Sequence, residues 1–498
     1  MKSGIQNTLQ LFLGRIWKTE DHDNREEHKK LASPFLKQSI LALGPFLLTV
    51  GLGMTSGYSA ILLPQLELEQ NENNSTISMD EEQASWIASM AALPMAIGSM
   101  LGGIFLEKFG RRGTHLLTCF PTAQGWLLIY LAVNTKMILV GRFLTGFCAG
   151  ILGTATGVYL GETTEPKHRG FFLAGISFAI SFGLFLIHLL GTYLHWQLTA
   201  LLSALISLIS FMLLLFVPES PSWLAKKNKQ EKAKHAFHWC RGYSEDAEKE
   251  LAIMLQRQED EKDIKISLRE LSMPEFWKPL VIIVVYIVTN QWVGVNAITF
   301  YTVAIMKDTI GDGLDEYLAM ILVDAVRVVM SVIACILLRN CTRRSLALTS
   351  GIGTFISLFT LSFFTYFSKM HPEYSLSWMP VACLFLYIAA ISIGFVPLPW
   401  ALIGELFPLK LRSAGSSICS FMAFTAFFSV VKTSPGMFRS IGSSGTFLVY
   451  GIVALVGTIF VALFLPETRG KPLHEIEDGF KMKNSHSSSD SNNNGTIE

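Results

Sequence analysis

Charge is scarce in this chain. Only 16% of its 498 residues are Asp, Glu, Lys or Arg, against about 25% in soluble globular proteins. What charge there is cancels, with 40 basic and 39 acidic residues and a net charge of +1. No bulk attraction to nucleic acid or another polyanion follows. The seven cysteines are odd in number and none forms a CxxC pair, so neither a disulfide framework nor a zinc site is supported. The early polar run "KTEDHDNREEHKK" does not fit the pattern of a cleaved signal peptide, and the first apolar span is expected to act as the insertion signal. P-loop, metal-ligand and nucleophile motifs are missing as well. That speaks against an enzyme, a resident metal, a cofactor or an ATP-driven pump.

Apolar sequence is abundant. Half of the residues are hydrophobic and 35 are Phe. Runs of about 20 apolar residues recur, and a helix of that length crosses one bilayer core. Twelve spans are expected, near 38–63, 83–106, 114–134, 137–160, 170–190, 195–217, 278–303, 315–338, 345–368, 378–403, 413–432 and 443–465. The chain then divides into an N-terminal segment 1–37, a six-helix half 38–217, a polar central loop 218–277 of helical composition, a second half 278–465 and a tail 466–498. The tail ends in "NSHSSSDSNNNGTIE", a low-complexity stretch expected to be disordered. The expected fold is an all-α membrane protein with the lipid bilayer as its main partner.

Lys and Arg set the orientation. One set of short loops carries Lys108, Arg111, Arg112, Lys167, Arg169, Arg339, Arg343, Arg344, Lys410 and Arg412; the alternate set has mainly Lys136, Lys307 and Lys369. The basic set, the central loop and both termini are therefore expected in the cytoplasm, in a multi-pass protein of the plasma membrane. The first loop, "ELEQNENNSTISMDEEQ", has neither Lys nor Arg. It is expected outside, where its sequons at Asn73 and Asn74 could be glycosylated.

Three signatures occur twice in the same order. An Arg pair follows a span in "EKFGRRG" (Arg111, Arg112) and in "RNCTRRS" (Arg343, Arg344). Gly-Glu closes a span with Arg seven residues on, at Glu162 with Arg169 and at Glu405 with Arg412. Pro-Glu ends the sixth span of each half, at Glu219 and Glu467. The offsets are 232, 243 and 248 residues. The order implies two halves related by duplication. Guanidiniums bind carboxylates bidentately, so these residues are expected to form a latch that joins the halves on the cytoplasmic side. Solvated loop charges are the alternative reading.

The stretches "GRFLTGFCAG", "GETTEPKHRG", "PESPSWL", "NQWVGVNAITFY", "GELFPLKLRSAG" and "PETRGKPLHEIE" resemble the sugar porters of the major facilitator superfamily. The ending is similar to that of insect facilitated trehalose transporter-like proteins. The resemblance implies the major facilitator fold, alternating access and a small-molecule sugar held mainly by the second half. It places the seventh-span contacts at Asn290, Gln291, Asn296, Phe300 and Tyr301. Amides suit the task, because they donate and accept as sugar hydroxyls do and cost less to desolvate than ions. In an unbroken helix 290 and 294 would share a face, as would 296 and 300. Trp400, after Pro397 and Pro399, matches a hinge aromatic that would stack on the sugar, and the two prolines are expected to break or kink the span. The family's fifth-span glutamine falls at Ser177 here, with His188 near the same face. Its eleventh-span Asn-Trp pair falls at Ala423 and Phe424. These departures leave open which sugar is carried.

Asp324 and Arg327 stand in mid-span, where each charge costs about 2.5–3.5 kcal/mol. Three readings apply: a mutual i,i+3 ion pair, an Asp324 that meets substrate or a proton, and pairing with other helices, for example through His188. Proton-linked members of the family carry Asp in the first span, where this chain reads "GYSAIL" with Ser59. A facilitative uniporter of trehalose or a hexose is therefore expected. The alternatives are a proton-coupled symporter and a transporter-like sensor with little flux.

Overall fold

The computed structural model describes residues 33–72, 77–260, 272–303, 305, 315–371, 378–408, 411–469 and 480. Helix dominates, and the described residues include no strand. The first bundle comprises α1 (Pro34–Gly57), α2 (Ser59–Asn71), α3 (Glu81–Ser89), α4 (Ala92–Phe109), α5 (Arg111–Tyr130), α6 (Thr135–Thr163), α7 (Pro166–Tyr193) and α8 (Trp196–Leu214). Three short polar helices follow: α9 (Pro221–Lys226), α10 (Gln230–Arg241) and α11 (Glu245–Asp260). The second bundle holds α12 (Pro274–Trp292), α13 (Val295–Phe300), α14 (Glu316–Asn340), α15 (Arg343–Met370), α16 (Trp378–Ile393), α17 (Leu398–Leu406) and α18 (Arg412–Phe464).

Local sequence explains the helix starts. Ser33 accepts from the Leu36 N–H with Pro34 next in line, Asn134 accepts from the Met137 N–H, and Asp315 accepts from the Tyr317 and Leu318 N–H groups. Each cap satisfies a donor that the first turn leaves orphaned. Small residues set the helix spacing. A Cβ on Gly146 would fall 2.1 Å from the Ala91 carbonyl oxygen, so α6 and the α3–α4 segment meet backbone to backbone.

Ten described helical segments are long and apolar enough to cross a bilayer. The helix at the expected third span, α5, is 20 residues long but carries His115, Gln124 and several Thr. The expected eleventh and twelfth spans join in α18, which doubles back at Gly442 (φ 70°, ψ 174°). Two expected spans are interrupted. The seventh breaks at Gly294, whose φ of +87° is left-handed, so 290 and 294 do not lie on one continuous helix face as expected. The tenth breaks at its prolines: residues 394–397 form a turn that ends in Pro397, Pro399 lies in the first turn of α17, and the Phe395 N–H is taken up by Ser350 Oγ at 2.9 Å. The break therefore costs no buried donor.

Within each bundle the helices pack on their own neighbours, α4 on α6, α5 on α8 and α1 on α7, then α15 on α18, α12 on α18 and α14 on α16. Between bundles, α18 lies along α4 and α14 along α7. One end of the molecule carries the Arg clusters and α9–α11, and is called the basic end here. At the opposite, acidic end the bundles touch directly. Arg439 pairs with Glu81, Ser85 Oγ donates to the Lys432 carbonyl at 3.3 Å, and the Lys432 ammonium stands 4.1 Å from the Trp86 ring centroid.

Candidate functional site

The repeated charged signatures build two matching clusters at the basic end. In the first, Arg111 grips Glu162 with two bonds, Nη2 to Oε1 at 2.6 Å and Nε to Oε2 at 2.8 Å. Glu219 caps α5: its Oε1 accepts the N–H groups of Arg111 at 2.8 Å and Arg112 at 2.9 Å. Arg112 itself donates to the Leu214 and Leu215 carbonyls. The second cluster repeats the plan. Arg343 Nη2 lies 2.9 Å from Glu405 Oε1, and Glu467 accepts the N–H groups of Arg343 at 3.0 Å and Arg344 at 3.1 Å. A carboxylate on a helix N-terminus also meets the positive end of the dipole. Burial opposes the charge of Glu467, but the backbone N–H groups of Arg469, Arg344 and Arg343 hold its carboxyl below the usual range. Arg169 follows Glu162 at the start of α7, where its N–H bonds the Glu165 carbonyl. Arg412 Nη2 reaches the Phe407 carbonyl at 3.4 Å. The ion pairs of Arg111 and Arg343 are thus closed within their own bundles. They do not bridge the bundles in this structure.

The seventh-span residues gather around the break at Gly294. Asn290 is buried, and its Oδ1 has no hydrogen-bond partner among the described residues. Gln291 Oε1 accepts from Asn296 Nδ2 across the break. Phe300 is fully buried, edge-on to Phe427 at 5.4 Å. The Tyr301 hydroxyl donates to the Val431 carbonyl at 3.2 Å. Trp400 is 42% exposed, and its ring lies 6.5 Å from that of Phe424. Ser177 is exposed and shares a face of α7 with His188, three turns away.

The mid-span charges do not form the mutual pair that i,i+3 spacing allows. Asp324 Oδ2 bonds His188 Nδ1 on α7, across the bundle interface. Arg327 turns the other way and donates from Nη1 to Thr299 Oγ1 at 2.8 Å. Tertiary packing decides this, because α14 lies between α7 and the second bundle and presents its two charges to different neighbours. Asn73 and Asn74 lie outside the described residues.

Residues 38–480 match the family described as "Sugar (and other) transporter". The chain belongs to the sugar transporter family. Among curated relatives it is 36% identical over 444 residues to a facilitated trehalose transporter Tret1 of Drosophila pseudoobscura pseudoobscura, covering 88% of this chain and 51% of the relative. A facilitated trehalose transporter Tret1 of Apis mellifera ligustica is 34% identical over 486 residues, 96% of each chain. The chain spans about half the length of the facilitated trehalose transporters Tret1 of Drosophila pseudoobscura pseudoobscura and Drosophila persimilis. Its fold is that of the major facilitator superfamily. An MFS proton:xylose symporter, XylE, bound to 6-bromo-6-deoxy-D-glucose superposes with a TM-score of 0.71 at 22% identity, covering 90% of this chain and 99% of that one. An inward open conformation of the xylose transporter XylE from E. coli superposes with a TM-score of 0.72 at 21% identity, with coverage of 89% and 99%.

One polar centre of this sugar transporter family member escapes the sequence reading. Arg142 is fully buried in α6. Its guanidinium donates to the Thr55 carbonyl at 2.7 Å, Ser59 Oγ at 2.6 Å, the Ile87 carbonyl at 3.3 Å and the Ala88 carbonyl at 3.4 Å. It also stands 6.0 Å from the ring centroids of Tyr58 and Phe300. These hydrogen-bond partners are all neutral oxygens. The signal was present, since Arg142 is the only charged residue in the apolar run 137–160, and an intramembrane charge marks a functional position by default.

Proposed function

We propose that this chain is a facilitative transporter of a sugar, trehalose or a hexose, working by alternating access between two six-helix halves. Its twelve spans include α5 and both arms of α18. The basic end, the central helices and both termini lie in the cytoplasm of a plasma-membrane protein, with glycosylation at Asn73 or Asn74 outside.

The observation that carries the reading is the amide cluster at the seventh-span break. A buried Asn290 oxygen without a partner is costly unless something donates to it. A sugar hydroxyl is a donor of the right kind. Gly294 breaks the helix there, and the exchanged bond between Gln291 and Asn296 can be remade around a ligand. Trp400 and Phe424 supply an aromatic surface for the apolar face of the ring. In this reading the Arg111–Glu162 and Arg343–Glu405 clusters re-pair between halves when the acidic end opens.

Uniport rests on Ser59. A neutral hydroxyl there gives Arg142 no carboxylate whose protonation could make or break an ion pair with it. The test is uptake of labelled trehalose, glucose, fructose and a polyol by purified protein in liposomes, with and without an inward proton gradient. Saturable flux that ignores the gradient is expected. Flux that follows the gradient would refute uniport, and no sugar flux at all would refute transport.

A further inference from the structure

His188 and Asp324 are both almost completely buried, at 0% and 2% exposure. They come from different bundles, α7 and α14, and each lies toward the acidic end of its helix. His188 is five residues before the end of α7, and Asp324 eight residues after the start of α14. The hydrogen-bond pattern counts the protons. His188 Nε2 lies 3.0 Å from the Gly57 carbonyl oxygen, which can only accept, so Nε2 carries a hydrogen. His188 Nδ1 contacts Asp324 Oδ2. Two lone pairs cannot face each other there, so the contact holds one further proton. The pair is either imidazolium with carboxylate or imidazole with carboxylic acid. Both forms have no net charge, which lowers the cost of burial in an apolar bundle.

Among the described residues, no other charged group of the packed elements bonds the Asp324 carboxylate. On α14 itself, Arg327 is engaged by Thr299, and Asp315, Glu316, Tyr317 and Arg339 stand toward the helix ends. Tyr58, between α1 and α2, donates its hydroxyl to the Trp196 carbonyl at 2.8 Å, and Lys37 stands at the start of α1; on α6 Arg142 is taken by Ser59 and backbone oxygens, while Lys136 stands at the helix start and Tyr159 and Glu162 lie at the basic end. On α16 the Tyr387 hydroxyl donates to the Val293 carbonyl at 2.9 Å. Glu67 and Glu69 lie at the acidic end of α2, and Glu69 accepts from His195 and Trp196. Lys167, His168, Arg169 and Tyr193 mark the ends of α7. Arg343, Arg344, Tyr366 and Lys369 mark the ends of α15. On α8 there is no titratable side chain.

We propose that His188 and Asp324 form a proton-binding site that ties the two halves together when the acidic end is closed. This rests on the alternating-access reading above. When the acidic end opens, α7 and α14 separate, and His188 keeps Gly57 but loses Asp324. The proton at Nδ1 is then free to leave to water. Closing takes one proton up wherever the separated pair holds none. By linkage, each unit of rising pH then disfavours the closed state by up to about tenfold. Protons act on the conformational balance, and sugar binding need not move with them.

The test uses purified full-length protein without sugar. Cysteines are placed by Glu81→Cys and Arg439→Cys, at the ion pair that closes the acidic end. A bifunctional thiol reagent is applied from about pH 5.5 to about pH 8.5, a range that spans histidine titration, and the linked peptide is quantified by mass spectrometry. The same series is run with Asp324→Asn added. The amide N–H of Asn donates to Nδ1 and keeps the bridge without the extra proton, and it also corrects for the reagent's own pH dependence. The linked fraction relative to this variant is expected to fall as pH rises, by up to tenfold per unit. The double variant His188→Gln with Asp324→Asn, which leaves no titratable group at the contact, serves as a second background and is expected to give the same flat reference. A ratio that does not change with pH in either background would overturn the proposal. Because no sugar is used, the proposal and the sugar reading can fail independently.

Discussion

Ser59 Oγ lies 2.6 Å from Arg142 Nη2, and both residues are fully buried. A cation held only by neutral oxygens depends on each of them. Ser59→Ala removes one acceptor and leaves a buried charged N–H short of a partner, a loss of about 1–3 kcal/mol. A lower thermal unfolding midpoint in detergent is expected, together with reduced flux. An unchanged midpoint would show that the hydroxyl is dispensable to the guanidinium.

Asn290→Ala deletes the unpartnered oxygen while leaving the helix intact. The unliganded protein should be as stable as the parent or slightly more so. Sugar affinity should fall about five- to thirtyfold, the weight of one or two hydrogen bonds. Equilibrium binding measured beside a thermal melt separates the two effects. Equal affinity in both proteins would remove Asn290 from the site.

Gly294→Ala faces two obstacles. Its φ of +87° is left-handed, and the new Cβ would fall 2.3 Å from the Tyr450 ring. Strain and overpacking together should cost about 2–4 kcal/mol. Adding Tyr450→Ala removes the clash but not the strain, so only part of the loss should return. Full recovery in the double variant would mean that backbone conformation there is immaterial.

Glu405→Gln weakens the grip of Arg343, which otherwise makes charge-assisted bonds at 2.9 Å and 3.1 Å. A change of about 1–2 kcal/mol in such a contact shifts a two-state balance about five- to thirtyfold. Accessibility of labelled positions at each end should report the shift. No change in the balance would reduce the cluster to a helix-end anchor.

Glu467 is held below the usual carboxylate range by three backbone N–H groups. A depressed carboxyl stabilises the fold above the unfolded value, and that contribution disappears as pH falls through the folded value. Glu467→Gln should therefore lower the melting midpoint near neutral pH, and the gap to the parent should close in acid. The group is only half-buried, so solvent screening keeps the effect small. A gap of constant size across the pH range would contradict the assignment.

Much of this was legible in the residues. Duplication was visible because the Arg-Arg, Gly-Glu and Pro-Glu signatures sit on short loops, where local chemistry and position coincide. Helix starts were legible for the same reason, since caps such as Asn134 act within one turn. The pairing of Asp324 was not legible from spacing. An i,i+3 interval permits a mutual pair, but it says nothing about which neighbouring helix offers a better partner. His188 lies 136 residues away in sequence. Arg142 was overlooked because its partners are mostly backbone carbonyls, which every residue has and no motif records.

The sequence by itself determined the class of the molecule: spans long enough to cross a bilayer, two sets of loops of unequal charge, and a repeated half. Those properties depend on composition and order alone. Tertiary structure decided the rest. It set where the seventh span breaks, because Gly294 must pass the Tyr450 ring, and it closed the tenth-span break that Pro397 and Pro399 announce, because Ser350 offers a partner to Phe395. It also set which buried charges meet, because desolvated ions take whichever partners packing brings within reach, and only the assembled helices put His188 beside Asp324 and Ser59 beside Arg142.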